Sequence, residues 1–348
     1  MAQPTPFTIA LPEEQLKWIN DRVATARIPP GKKLPDDEVW KSWGLPPDYA
    51  HKLKEYWTSK YDWRQVEKQL NDELTQFTIP INHGGEDVTI HFVHHRSERK
   101  DAIPFLFVHG WPGSFLEVRP LINLLTSPAS SEDPAYHVVA PSLPGFGFSS
   151  YPSAPCSPMD MAEINHKLMK ALGYSQYMVQ GGDWGSMVNR IIAINHPESC
   201  RIIHLNMVVA SPPIWYPLAI GRLILAYLTG LGLSNYEKKL LERMKWWMDR
   251  ESGYQKIQGT KPQTLSYALT DSPLGMACWL REKVNYLVDD DFQWKDEDVI
   301  TWAMVSRAKY IFSSVPSYLH SYSLISSMAH QDMPRSTSGF LLTMINPC

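Results

Sequence analysis

One carboxylate, Asp183, stands between Gly181-Gly182 and Trp184-Gly185. Small residues on both sides let the backbone turn sharply enough to expose it. Before it, Tyr177-Met178-Val179-Gln180 is a short β-prone run, and after it Ser186 to His196 carries apolar residues at helical spacing. The pattern predicts a strand, a tight turn and a helix, the nucleophile elbow, with Asp where a lipase would carry Ser. A carboxylate that attacks carbon leaves an alkyl-enzyme ester, so the substrate should carry strain or a good leaving group. A second segment, His109-Gly110-Trp111-Pro112-Gly113, directly follows the apolar run Phe105-Leu106-Phe107-Val108. That is the carboxyl end of a strand, where open α/β sheets hold ligands. The backbone N–H groups of Trp111 and of Trp184, the residue after the nucleophile, are the candidate oxyanion hole. His109 reads as a structural histidine that holds its loop. Trp184 has two readings: its indole N–H faces the pocket, or its ring packs against the elbow.

These residues need a scaffold, and the chain divides into three parts that can supply one. Residues 1–95 are rich in Trp, Pro and charge and read as short helices joined by proline turns, ending in the strand Val88-Thr89-Ile90-His91-Phe92-Val93. Residues 96–212 alternate strand and helix. Phe105–Val108, His137–Ala140, the run before the elbow and Ile202–Met207 read as strands; Phe115–Leu125 and Met161–Leu172 read as helices. This alternation predicts an α/β class fold with a mostly parallel, doubly wound sheet. Residues 213–325 are amphipathic and helical in period, as a cap would be, and 326–348 form a divergent tail. In the cap, Glu251-Ser252-Gly253-Tyr254 offers a phenol that could protonate an alkoxide. With 16 tyrosines in the chain, position alone favours packing over that role.

Composition excludes several classes. In 348 residues the formal net charge is -3, which gives no electrostatic footprint for nucleic acid. The four cysteines, Cys156, Cys200, Cys278 and Cys348, fit no metal or disulfide spacing and suit a reducing compartment. No cofactor motif occurs. The amino terminus lacks a basic region followed by an apolar core, so no secretory signal is read there. Ile214–Leu233 is long enough to span a bilayer, but Arg222 lies within it and Pro217, Gly221, Gly230 and Gly232 interrupt it. It reads as a cap segment. The expected location is the cytoplasm, with peripheral contact at the endoplasmic reticulum membrane as the alternative.

The segments HFVHHRS, HGWPGSF, LPGFGFS, GGDWGS and ESGY…IQGTKPQTL…ALTDSPLGMACWL, in that order, together resemble the epoxide hydrolases of the microsomal type. The stretch YWTSKYDWRQVEKQLN resembles that family's amino-terminal region, and the resemblance runs from about residue 5 to about residue 302. It implies an α/β-hydrolase fold with an N-terminal meander and a helical cap. It implies Asp183 as the nucleophile and Tyr254 as one of two cap tyrosines that activate the epoxide oxygen. Tyr322 is the best match for the second, with Tyr318 the poorer one. The implied partner is a small hydrophobic epoxide, with no cofactor and no metal.

The resemblance also implies a histidine, oriented by Asp or Glu, in a Gly-His-Phe context after the last strands. The 348 residues contain no such segment: His320 and His330 are the histidines beyond the cap, and Asp332 precedes the place where the acid should occur. The expectation is therefore attack by Asp183 with stalled hydrolysis of the ester, and an uncovered edge at the end of the sheet. Three readings follow: an epoxide hydrolase with impaired turnover, a haloalkane dehalogenase-like hydrolase, and a non-catalytic remnant or binding protein from a truncated gene or an incorrect gene model.

Overall fold

The computed structural model describes residues 3–32, 34–208, 217–288 and 292–307. Its centre is a seven-stranded sheet in the order β1-β2-β3-β5-β4-β6-β7. The strands are β1 (Thr5–Phe7), β2 (Gln76–His83), β3 (Glu86–His95), β4 (Ile103–Val108), β5 (Tyr136–Pro141), β6 (Tyr177–Gly181) and β7 (Cys200–Leu205). β5, β4, β6 and β7 run parallel, as the sequence predicts. The other half is antiparallel: β1 pairs with β2, β2 with β3, and β3 with β5. The sheet is therefore mixed with a parallel core. The amino-terminal region contributes three strands to it, of which the sequence reading found one.

Further differences have local causes. The stretch predicted as a helix over Phe115–Leu125 is a 3₁₀ segment, Phe115–Leu121, followed by the short helix α5 (Ile122–Thr126). Pro120 lies inside the segment, and a proline there can donate no i→i−4 hydrogen bond. β7 begins at Cys200, ahead of the predicted Ile202, because Tyr177 of β6 pairs with Cys200. It ends the sheet among the described residues, with Ile202 nearly half exposed.

Four helices precede β2: α1 (Glu13–Ala24), α2 (Asp36–Ser42), α3 (Pro47–Ser59) and α4 (Trp63–Glu73). Asp62 caps α4 by accepting from the N–H groups of Arg64 and Gln65. Proline punctuation sets α2 and α3, each of which starts just after a proline. Helices α6 (Pro158–Ala171) and α7 (Asp183–Asn195) pack on each other beside the parallel strands. A reciprocal capping box between Ser157 and Asp160 starts α6. The cap holds α8 (Pro217–Thr229), α9 (Asn235–Arg250), α10 (Gly253–Thr260), α11 (Pro262–Asp271), α12 (Pro273–Tyr286) and α13 (Asp296–Arg307). No described helix is long and apolar enough to cross a membrane.

The amino-terminal helices pack against the cap: α1 on α12, and α3 on both α12 and α13. Tyr49 of α3 is the hub of this contact. Its hydroxyl donates to Asp296 at 2.5 Å and accepts from Arg281 Nε at 3.0 Å. Tyr61 and Thr301 share a further hydrogen bond at 3.1 Å.

Candidate active site

Asp183 lies where β6 ends and α7 begins, and its φ is +48°. It is the one described residue other than glycine in the left-handed region, and such strain costs on the order of 1–3 kcal/mol. The turn closes so tightly that a Cβ at residue 185 would run into the Val108 carbonyl oxygen of the neighbouring strand. Only glycine fits there. The result is a half-buried carboxylate at the carboxyl edge of the parallel core, beside the loop that follows β4.

That loop supplies its partners. Trp111 N–H donates to Asp183 Oδ1 at 2.7 Å, and the Gly110 backbone lies against the Asp183 side chain. The Trp184 N–H is a second backbone donor to the same carboxyl. The structure thus brings Trp111, Trp184 and Asp183 together. Burial pushes the Asp183 carboxyl up from its ordinary value, and the N–H bonds from Trp111 and Trp184 pull it back down. The Trp184 side chain is 5% exposed, enclosed within the core cluster.

His109 is held at both ring nitrogens. Nε2 accepts from Leu143 N–H at 3.1 Å, so Nδ1 carries the proton and donates to the Gly110 carbonyl at 3.0 Å. Burial pushes its pKa down to about 4, so the ring is neutral. Both nitrogens serve the backbone, and the ring fastens the Trp111 loop to the Leu143 loop, as the sequence reading expects. A second buried histidine, His91, supports the same region, bonded to Ser142 Oγ at 2.9 Å and Gln76 Oε1 at 3.0 Å.

The cap reaches this site through Tyr254, near the start of α10. Its ring is 5% exposed and stacks on Trp111, with centroids 4.6 Å apart and planes 15° apart. Lys283 Nζ lies 5.4 Å over the Tyr254 ring and pairs with Glu251 at 3.4 Å and Glu282 at 2.8 Å. Glu251 opens the same Glu-Ser-Gly-Tyr segment as Tyr254, so its ion pair anchors that turn to α12. The candidates Tyr318, Tyr322, His320, His330 and Asp332 lie outside the described residues.

The sequence reading missed Glu117. It faces the same loop: its Oε1 occupies the place where a side chain at Gly113 would stand, and the Asp183 charge acts on it. No signal in FLEVRPL marks it, because Arg119 two residues on makes the pair read as ordinary surface charge. Among the described residues no cluster of His, Cys, Asp or Glu could hold a metal ion. Cys156, Cys200 and Cys278 are free.

With this geometry in view, the likeness to known proteins is specific. Residues 4–118 match the family description "Epoxide hydrolase N terminus", and residues 103–228 match "alpha/beta hydrolase fold". A Stigmatella aurantiaca relative is 38% identical over 293 residues, which is 82% of this chain and 61% of that protein. Epoxide hydrolase 1 of Oryctolagus cuniculus is 33% identical over 301 residues, 83% of this chain and 64% of its own length. The chain spans less than two thirds of either relative. The solved structure of Aspergillus niger epoxide hydrolase superposes with a TM-score of 0.76 at 31% identity, over 94% of this chain and 80% of that one.

Proposed function

This chain belongs to the microsomal-type epoxide hydrolases, and from that premise we propose that Asp183 opens a small hydrophobic epoxide by forming an alkyl ester. Asp183 Oδ attacks a ring carbon, the carbon–oxygen bond of the epoxide breaks, and its electron pair moves to the epoxide oxygen. The Tyr254 hydroxyl gives that oxygen a proton and regains one from solvent. Tyr322, with Tyr318 as the poorer match, is the proposed second donor. The observation that carries the reading is the convergence of the Trp111 and Trp184 N–H groups on a half-buried aspartate with left-handed backbone.

Release of the diol needs water to attack the ester carbonyl, with the oxyanion held by the same two N–H groups. It also needs a base. His109, on the loop that faces Asp183, has no free ring nitrogen for that task. The reading is one substrate equivalent bound covalently to Asp183, with little diol released. Incubating the 348-residue chain with styrene oxide and measuring intact mass tests it. The expected result is a single adduct, mapped to Asp183 and missing in Asp183→Asn. Sustained diol production that Asp183→Asn abolishes would sink the stalled-ester reading and require a base. An unmodified chain would sink the nucleophile reading.

A further inference from the structure

Glu117 takes no part in the steps above, yet it shares the nucleophile's loop. The residue keeps some exposure along its length, but its carboxyl is pressed against Gly113. A methyl group at 113 would overlap Oε1 and fall 2.7 Å from Cδ, so any larger side chain there would evict the carboxyl. The N–H groups of Gly110 and Ser114 bond to that carboxyl. The next N–H along, that of Trp111, bonds to Asp183 at 2.7 Å. Successive peptide groups of one loop therefore hold two carboxyl groups side by side.

Two half-buried carboxyls held by one loop do not both ionise cheaply, and one keeps its proton. Each carboxyl accepts two backbone N–H bonds, and of the two it is Glu117 that the other's charge acts on, which leaves the charge on Asp183. Glu117 is pushed up to about 8, first by burial and then by the Asp183 charge, against its own backbone bonds. The groups around it do not reverse this. His109, on the loop after β4, is turned to backbone partners and neutral. His91, on β3, lies across the Phe115 ring. Arg119, on the same 3₁₀ segment, is committed to Glu73 of α4. Among the described residues Glu117 has no ion-pair partner.

Resting on the reading of Asp183 as nucleophile, we propose that Glu117 is a positioning residue for the attack: held uncharged against the Gly110–Gly113 loop, it leaves the negative charge of the carboxyl pair on Asp183. Ionising Glu117 sets a second negative charge beside the first. Attack on the epoxide removes charge from Asp183 and relieves that repulsion, so alkylation should speed up as Glu117 ionises.

Infrared titration of the full chain tests the pair without requiring catalysis. A protonated-carboxyl band should be present near pH 6.5 and disappear as pH rises through about 8. It should be missing in Glu117→Gln. In Asp183→Asn it should titrate lower by roughly one pH unit or more, because the opposing charge is gone. A wild-type chain without the band overturns the proposal, as does an Asp183→Asn variant in which it does not move. A band that survives Glu117→Gln and vanishes in Asp183→Asn would put the proton on the nucleophile and overturn it too. The Asp183→Asn comparison keeps the test open should Glu117→Gln fail to fold. Alkylation by styrene oxide should then rise a few-fold between about pH 7 and 9 in the wild type. In Glu117→Gln that rise should be missing and the profile flat. A flat wild-type profile overturns the proposal. Absence of alkylation, with the band and its shift intact, would refute the nucleophile reading and leave the carboxyl pair standing.

Discussion

At the scale of single residues, the site works by limiting what each group can do. Two backbone donors hold the Asp183 carboxylate toward the Trp111 loop, His109 has both nitrogens occupied, and Tyr254 is fixed by stacking and by Lys283. Tyr254→Phe keeps the stack and removes the proposed proton donor. It should slow adduct formation with styrene oxide by about 10²-fold, the usual scale of a general-acid contribution, while the adduct's mass stays the same. An unchanged rate would give the donor role to another group. The turn that places Asp183 beside the Trp184 N–H was legible in the sequence because the elbow is local: glycine, acid and tryptophan stand within five consecutive positions. Glu117 was not legible. Nothing in FLEVRPL says that an acid there turns inward, since the space it fills is created by Gly113 and shared with a residue on another strand–helix turn.

At the scale of elements, the elbow depends on how closely the first turn of α7 approaches the end of β4. Gly185 faces the Val108 carbonyl with no room for a methyl group. Gly185→Ala should therefore cost about 2–3 kcal/mol and shift the turn that sets Asp183. Denaturant unfolding should show a lower midpoint, and mass spectrometry should show loss of adduct. Ser157→Ala, at the start of α6, should cost about 1 kcal/mol and leave adduct formation unchanged. Equal effects of the two substitutions would contradict this placement of strain. The parallel strands could be read from their apolar runs, each four to six residues long and bounded by loops. β1 and β2 could not. β1 has only three residues, and Pro80, Asn82 and His83 break the apolar pattern of β2. Their identity as strands comes from pairing with β3, a long-range fact that periodicity does not carry.

At the scale of the whole molecule, acid should weaken the fold through two buried histidines. Burial pushes both His94 and His109 down to about 4 from 6.5. Their folded pKa is the lower one, so the unfolded chain takes up protons first as pH falls. The stability they contribute is present above about pH 6.5 and is lost as pH falls toward 4. The denaturant midpoint should drop steadily across that interval, and His94→Gln should make the drop shallower. A midpoint that stays level from pH 6.5 to 4.5 would contradict this. The clasp of Tyr49 with Asp296 and Arg281 ties the amino-terminal helices to the cap, which the sequence reading had treated as separate regions.

The strand order also sets a timetable for a chain still being made on a ribosome. Once His95 has emerged, β1, β2 and one edge of β3 have their partners. β4 emerges next, but its place is on the far side of β5 from β3. Until Tyr136–Pro141 has been synthesised, β3 presents an open edge and Ile103–Val108 is an extended apolar segment without a neighbour. That interval is when a chaperone specific for bare strands would find this protein, and translation pauses placed within it should lengthen the encounter.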